Sequence, residues 1–186
     1  MRHPVLRLGL VTRWLLLLLL TAAATGMFLH LTAHGEVLTN PQAPLGIVSL
    51  ELPLTAERAA AVIASWEGER RDTAVENIEL DFLFLLLYPL ALSVALAVLS
   101  EWRTTGWPAL YAGMSWLALM MLPLDAMENL LMLQMLDETP SALTAAATTL
   151  LAAFKFLLLL AAFCLVIRAL LRPVVLKLLG RELGQA

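Results

Sequence analysis

The stretch LTAAATTLLAAFKFLLLLAAFCLVI, residues 143–167, carries one charged side chain, Lys155. At about 1.5 Å of rise per residue, a helix of this length crosses the roughly 30 Å hydrocarbon core of a bilayer. Three more stretches read the same way, which places four spans at about 14–33, 80–100, 107–135 and 141–168. The expected fold is all-α, a bundle of four transmembrane helices with a small helical extracytoplasmic cap between the first and second spans.

Composition supports that reading. The chain has 186 residues, 61% hydrophobic and 15% charged, with a mean hydropathy of +0.84, against roughly 45–50% apolar and about 25% charged in soluble domains. A soluble globular domain is excluded. The net charge of −3 includes no polybasic excess, so nucleic acid is not an expected partner. The one cysteine, Cys164, lies in an apolar run; it forms no internal disulfide and reads as a small buried side chain.

Helix punctuation marks the span limits. Thr73 with Glu76 has the spacing of a capping box, Pro108 suits a first helical turn, and Thr139-Pro140 can cap and start the fourth span. The third helix is expected to continue past the bilayer surface to about Leu136. Arg2, Arg7, Arg13 and the Ala22–Ala24 segment resemble a cleavable leader, but apolar character continues through Met27, Phe28, Leu29 and Leu31, so residues 1–24 are read as part of a retained span.

Basic residues set the orientation. Arg2, Arg7, Arg13, Arg103, Arg168, Arg172, Lys177 and Arg181 fall on one side, and Arg58, Arg70 and Arg71 on the other, which predicts that both termini are cytoplasmic. Residues 35–79 then form an outside loop. Within it, Ala59, Val62, Ile63 and Trp66 repeat at helical spacing, predicting an amphipathic helix over 55–67 that lies on the membrane or on the bundle mouth. Residues 172–186 read as a separate interfacial amphipathic tail.

Ionisable residues within the spans carry the functional signal, because a charge at mid-bilayer costs at least about 2.5 kcal/mol and persists when paired or facing a cavity. They are Asp81, Asp125, Glu128 and Lys155. Asp125, Glu128 and Asn129 stand at i, i+3 and i+4 and share a helix face with Met121; Asp81 shares one with Tyr88, and Lys155 with Thr148. Depths counted from the span ends bring Asp81, Asp125, Glu128, Asn129 and Lys155 together in the outer half of the bundle. Pro89 and Pro123 bend the helices beside them.

Three acids against one lysine leave room for a proton or a positively charged group. A site of this kind suits a lipid-like or small hydrophobic ligand, with Asp125, Glu128 and Lys155 as candidate proton donors and acceptors and Asp81, Tyr88, Asn129, Met121 and Thr148 as binding residues. Whether a reaction follows is open. Two alternatives stand beside it: an ordering network in a structural or accessory subunit of a membrane complex, and a proton- or cation-coupled transport component. The last is weakened because no comparable polar residue marks the cytoplasmic half of any span. His30 and His34, at i and i+4, are candidates for a metal site with nearby carboxylates. The sequence names no cofactor. The bilayer is the one certain partner, and homo- or hetero-oligomers are both open.

The elements "LDFLFLLLYPL", "LDAMENLLML", "AAFKFLLLL" and, in the loop, "SLELPLTAERAAAVIASW" resemble an uncharacterised group of small bacterial four-span membrane proteins. The resemblance implies a bacterial inner-membrane location and no activity. The sequence contains no Gly-rich phosphate loop, nucleophile elbow or zinc-protease motif.

Overall fold

The computed structural model describes residues 3–102 and 105–178. Among these residues every regular element is helical. Four helical stretches are long and apolar enough to cross a membrane, Leu10–Leu38, Glu69–Ser100, Pro108–Asp137 and Ala142–Leu178, so the chain is a multi-pass, all-α membrane protein. The long elements are α1 (Leu10–His34), α4 (Glu69–Ser100), α5 (Pro108–Leu117), α6 (Met121–Asp137) and α7 (Ala142–Leu178). Two short helices, α2 (Val48–Glu51) and α3 (Ala56–Ala64), lie in the loop between the first two spans.

The faces of α7 follow membrane packing. Ala145, Ala152, Ala162 and Ala169 are fully buried, whereas Leu150, Phe154, Leu157, Leu160 and Phe163 are exposed. Small residues let helix backbones approach closely, and large apolar ones meet lipid. Cys164 is exposed; it lies on the Leu/Phe side of the helix and not, as expected, on the buried alanine stripe.

Several helix limits differ from the sequence reading. Helix α4 begins at Glu69, before the expected capping box, because Gly68, at φ 59°, turns the chain and accepts from Arg71 N at 2.9 Å. Glu69 and Asp72 lie in its first turn, where acids favour the helix dipole. Thr73 is already helical and donates its hydroxyl to Glu69 O at 2.9 Å. The cap of α7 is Ser141, whose Oγ accepts from Thr144 N at 3.1 Å while Thr144 Oγ1 accepts from Ser141 N at 3.0 Å; Thr139-Pro140 precede it. The expected disturbance at Pro123 appears as a 3-10 turn, Ala118–Met120, between α5 and α6. Residues 172–178 are no separate tail: α7 continues through Pro173 to Leu178. The remainder of the expected tail, with Arg181, lies outside the described residues, as do Arg2 and Arg103.

The chain divides into two compact units, the first comprising Met1–Ala22, Leu87–Met121 and Leu157–Ala186, the second Ala23–Leu86 and Leu122–Phe156. Among the described residues the first holds five basic and one acidic residue, the second four basic and thirteen acidic.

In the second unit the loop has a core of its own. Leu38, Leu50, Ala59, Val62 and Trp66 pack with Ala74 and Ile78 of α4, Met132, Met135 and Leu136 of α6 and Ala145 of α7. Trp66 Nε1 donates to Leu38 O at 2.8 Å, Asn77 Nδ2 to Leu31 O at 3.0 Å, and Arg71 to Leu136 O. The apolar stripe of α3 is thus buried against helix ends, which makes residues 35–68 a cap.

In the first unit Val5 and Leu6 pack against Val94, Ala97 and Val98. Arg13 holds the chain start in place, donating to Leu8 O at 2.9 Å and Leu6 O at 2.5 Å and pairing with Glu101 at 2.5 Å.

Candidate functional site

The ionisable residues meet within the second unit. Asp125, Glu128 and Asn129 leave α6 on one side because their i, i+3, i+4 spacing stacks them over about one turn. Lys155 belongs to the buried stripe of α7, and its Nζ lies 2.8 Å from Asp125 Oδ1 and 3.0 Å from Glu128 Oε1. Glu128 Oε2 is also 2.9 Å away, at an angle that gives an ion pair but no hydrogen bond. Asn129 Nδ2 donates to Asp81 Oδ2 at 2.8 Å, tying α4 to the same group. Asp125, Glu128, Asn129 and Lys155 are all buried.

A fifth member, Glu51, comes from the cap. Its Oε2 accepts from Lys155 Nζ at 3.2 Å. An ammonium has three N–H donors, and here Asp125, Glu128 and Glu51 each take one. The sequence reading left Glu51 within the outside loop, residues 35–79, and did not count it with the ionisable residues of the spans. Its signal was local: in "SLELPL" it is a single charge flanked by leucines, a pattern that suits a buried, paired acid.

Thr148 is fully buried, and its hydroxyl bonds back to Thr144 O at 2.9 Å on its own helix. Tyr88 and Met121 fall in the first unit, where both are buried. His30 and His34 stack with ring centroids 6.1 Å apart, and His34 Nε2 lies 3.3 Å from Glu76 Oε2. No group of three or more His, Cys, Asp or Glu side chains suited to a metal ion occurs among the described residues.

The first unit has a polar network that the sequence reading missed. Ser93 Oγ donates to Ser115 O at 2.7 Å and so accepts from His3 Nε2, 3.1 Å away; His3 Nδ1 accepts from Val5 N at 3.3 Å. Tyr111 donates to Leu165 O at 2.9 Å, and Arg168 Nη1 donates to Thr105 O at 2.7 Å with its guanidinium 3.7 Å over the Trp107 ring. Serine and histidine raise no strong hydropathy signal, and His3 precedes the span that it packs beside.

Electrostatically, the second-unit cluster sets four carboxyl groups, Glu51, Asp81, Asp125 and Glu128, around one ammonium. Buried charges of this kind are retained when paired and hydrogen-bonded. The arrangement can hold an ionised group, exchange a proton, or lock helices in register. Comparison with protein families, curated proteins and solved structures returns no match.

Proposed function

We propose that this chain is a bacterial inner-membrane protein, both termini cytoplasmic, that binds a lipid-like or small hydrophobic ligand carrying a polar head at the Lys155 cluster. The observation that carries this reading is the double hold on Lys155, by Asp125 and Glu128 of α6 and by Glu51 of the cap. A polar site roofed by a non-spanning element offers a ligand in the membrane's outer layer a place for its head group. The proposed orientation is supported by the basic residues near the chain ends, Arg7, Arg13, Arg168, Arg172 and Lys177, which the positive-inside rule places in the cytoplasm.

The complete use of the lysine's three donors favours a second reading, a non-catalytic subunit in which the network only fixes helix packing. Lipid co-purification separates the two. Under the binding reading, Asp125→Asn and Glu128→Gln remain folded and inserted but lose a stoichiometric amphiphile seen by native mass spectrometry of the wild type. Misfolding of both variants, with no amphiphile on the wild type, would establish the ordering role instead.

A further inference from the structure

Glu51 differs from the other acids on Lys155 in where it sits and how it is held. Its side chain is 13% exposed, against 2% for Asp125 and 0% for Glu128, so it is the most accessible of the three acids on Lys155. It ends the single turn of α2 and leads into Leu52-Pro53-Leu54, a strap across α7. Two polar contacts tie the strap to α7, Glu51 to Lys155 and Leu54 N to Thr149 Oγ1 at 3.1 Å, and Pro53 between them is buried.

The strap is also strained. Leu54 has φ 64° and is the only non-glycine with positive φ among the described residues. Thr55 N donates to Pro53 O at 2.7 Å across it, a γ-turn of the rare, strained kind. A leucine stays there only because its surroundings over-determine it. Its side chain is 72% exposed, so its own packing does not explain the conformation; the polar contacts with α7 and the burial of Pro53 hold the backbone there.

We infer that Glu51 is a displaceable occupant of Lys155, and that a carboxylate or phosphate on an amphiphile takes its place as the strap lifts from α7. The inference rests on the ligand-binding reading above and adds the head-group class. Exchange of Glu51 for another carboxylate leaves the charge around Asp125, Glu128 and Lys155 unchanged, and a phosphate monoester replaces it with an anion of about −1.5 to −2 at pH 7. A neutral head would leave a buried ammonium donor poorly matched, at the cost that attends a lost charged hydrogen bond. A cationic head would have to share the site with Lys155. Release of the strap relaxes Leu54, which offsets part of the work of opening.

The test uses the full chain in nanodiscs with three probes: oleate, oleoyl lysophosphatidate and oleyl alcohol. Affinities are read by native mass spectrometry and strap opening by hydrogen exchange at residues 51–55. An anionic probe is expected to bind the wild type and speed exchange in the strap. In Glu51→Gln, where the competing carboxylate is gone, that probe binds about tenfold more tightly and oleyl alcohol is unchanged. The anionic probe with the larger gain identifies carboxylate or phosphate as the natural head. Binding of all probes without change in strap exchange, or equal affinity in both proteins, overturns the exchange but leaves the binding reading standing. Binding of no probe to either protein overturns both. The exchange measurement on the wild type decides the matter even if Glu51→Gln fails to fold.

Discussion

Glu51 and Lys155 are separated by 104 positions in the chain, yet their carboxylate and ammonium lie 3.2 Å apart. One is in a four-residue helix outside the spans and the other in the middle of the most apolar span. The pair joins the cap to α7 and completes the set of acceptors around the lysine.

Removing the lysine should therefore cost more than removing any one of its acids. Lys155→Met leaves Asp125 and Glu128 buried without a counter-charge, and breaking such a network by one partner typically costs about 3–5 kcal/mol. Thermal unfolding in detergent, followed by circular dichroism, should show a large fall in midpoint. The double variant Lys155→Met/Asp125→Asn should lose less than the sum of the two single losses, because the residues act together. Additive losses would contradict the network.

Leu54→Gly should stabilise the protein. Left-handed backbone costs a residue with a Cβ about 1–2 kcal/mol, and the greater freedom of glycine in the unfolded chain returns roughly 0.5–1 kcal/mol of that. Little side-chain burial is lost. The net gain, up to about 1.5 kcal/mol, should raise the unfolding midpoint by a few degrees; a lower midpoint would refute the strain.

The docking of the chain start on α4 should depend on pH. His3 uses Nδ1 to accept from Val5 N and Nε2 to donate to Ser93, so the docked ring is neutral, and burial lowers its pKa from the ordinary 6.5. The undocked ring takes up a proton more readily. Docking is thus at full strength above about pH 6.5 and weakens as pH falls through that value toward the lowered one. Hydrogen exchange at residues 4–8, corrected for intrinsic rates, should speed up between pH 7 and 5. In His3→Gln this step should vanish.

The proposed orientation can be read by cysteine labelling. Glu67, at the end of the cap, is exposed. In a Cys164→Ser background, Glu67→Cys should react with a membrane-impermeant maleimide on intact cells. Reaction only after lysis would reverse the topology.

The amino-acid sequence by itself determined the four spans, because crossing a bilayer depends on transfer free energy summed over about twenty neighbouring residues. It also determined that Asp125, Glu128 and Asn129 act from one face, since helical spacing is local geometry. The approach of Lys155 to that face was legible by counting depth along each span. Tertiary structure alone decided the rest: Glu51 as the third acceptor, Asp81 bonded to Asn129, Glu76 as the partner of His34, and Cys164 on the exposed side. Hydropathy fixes how deep a residue sits in the membrane. Which side chains meet at that depth is fixed by how each helix is rotated and by where the cap folds back, and both are set by close packing between distant parts of the chain.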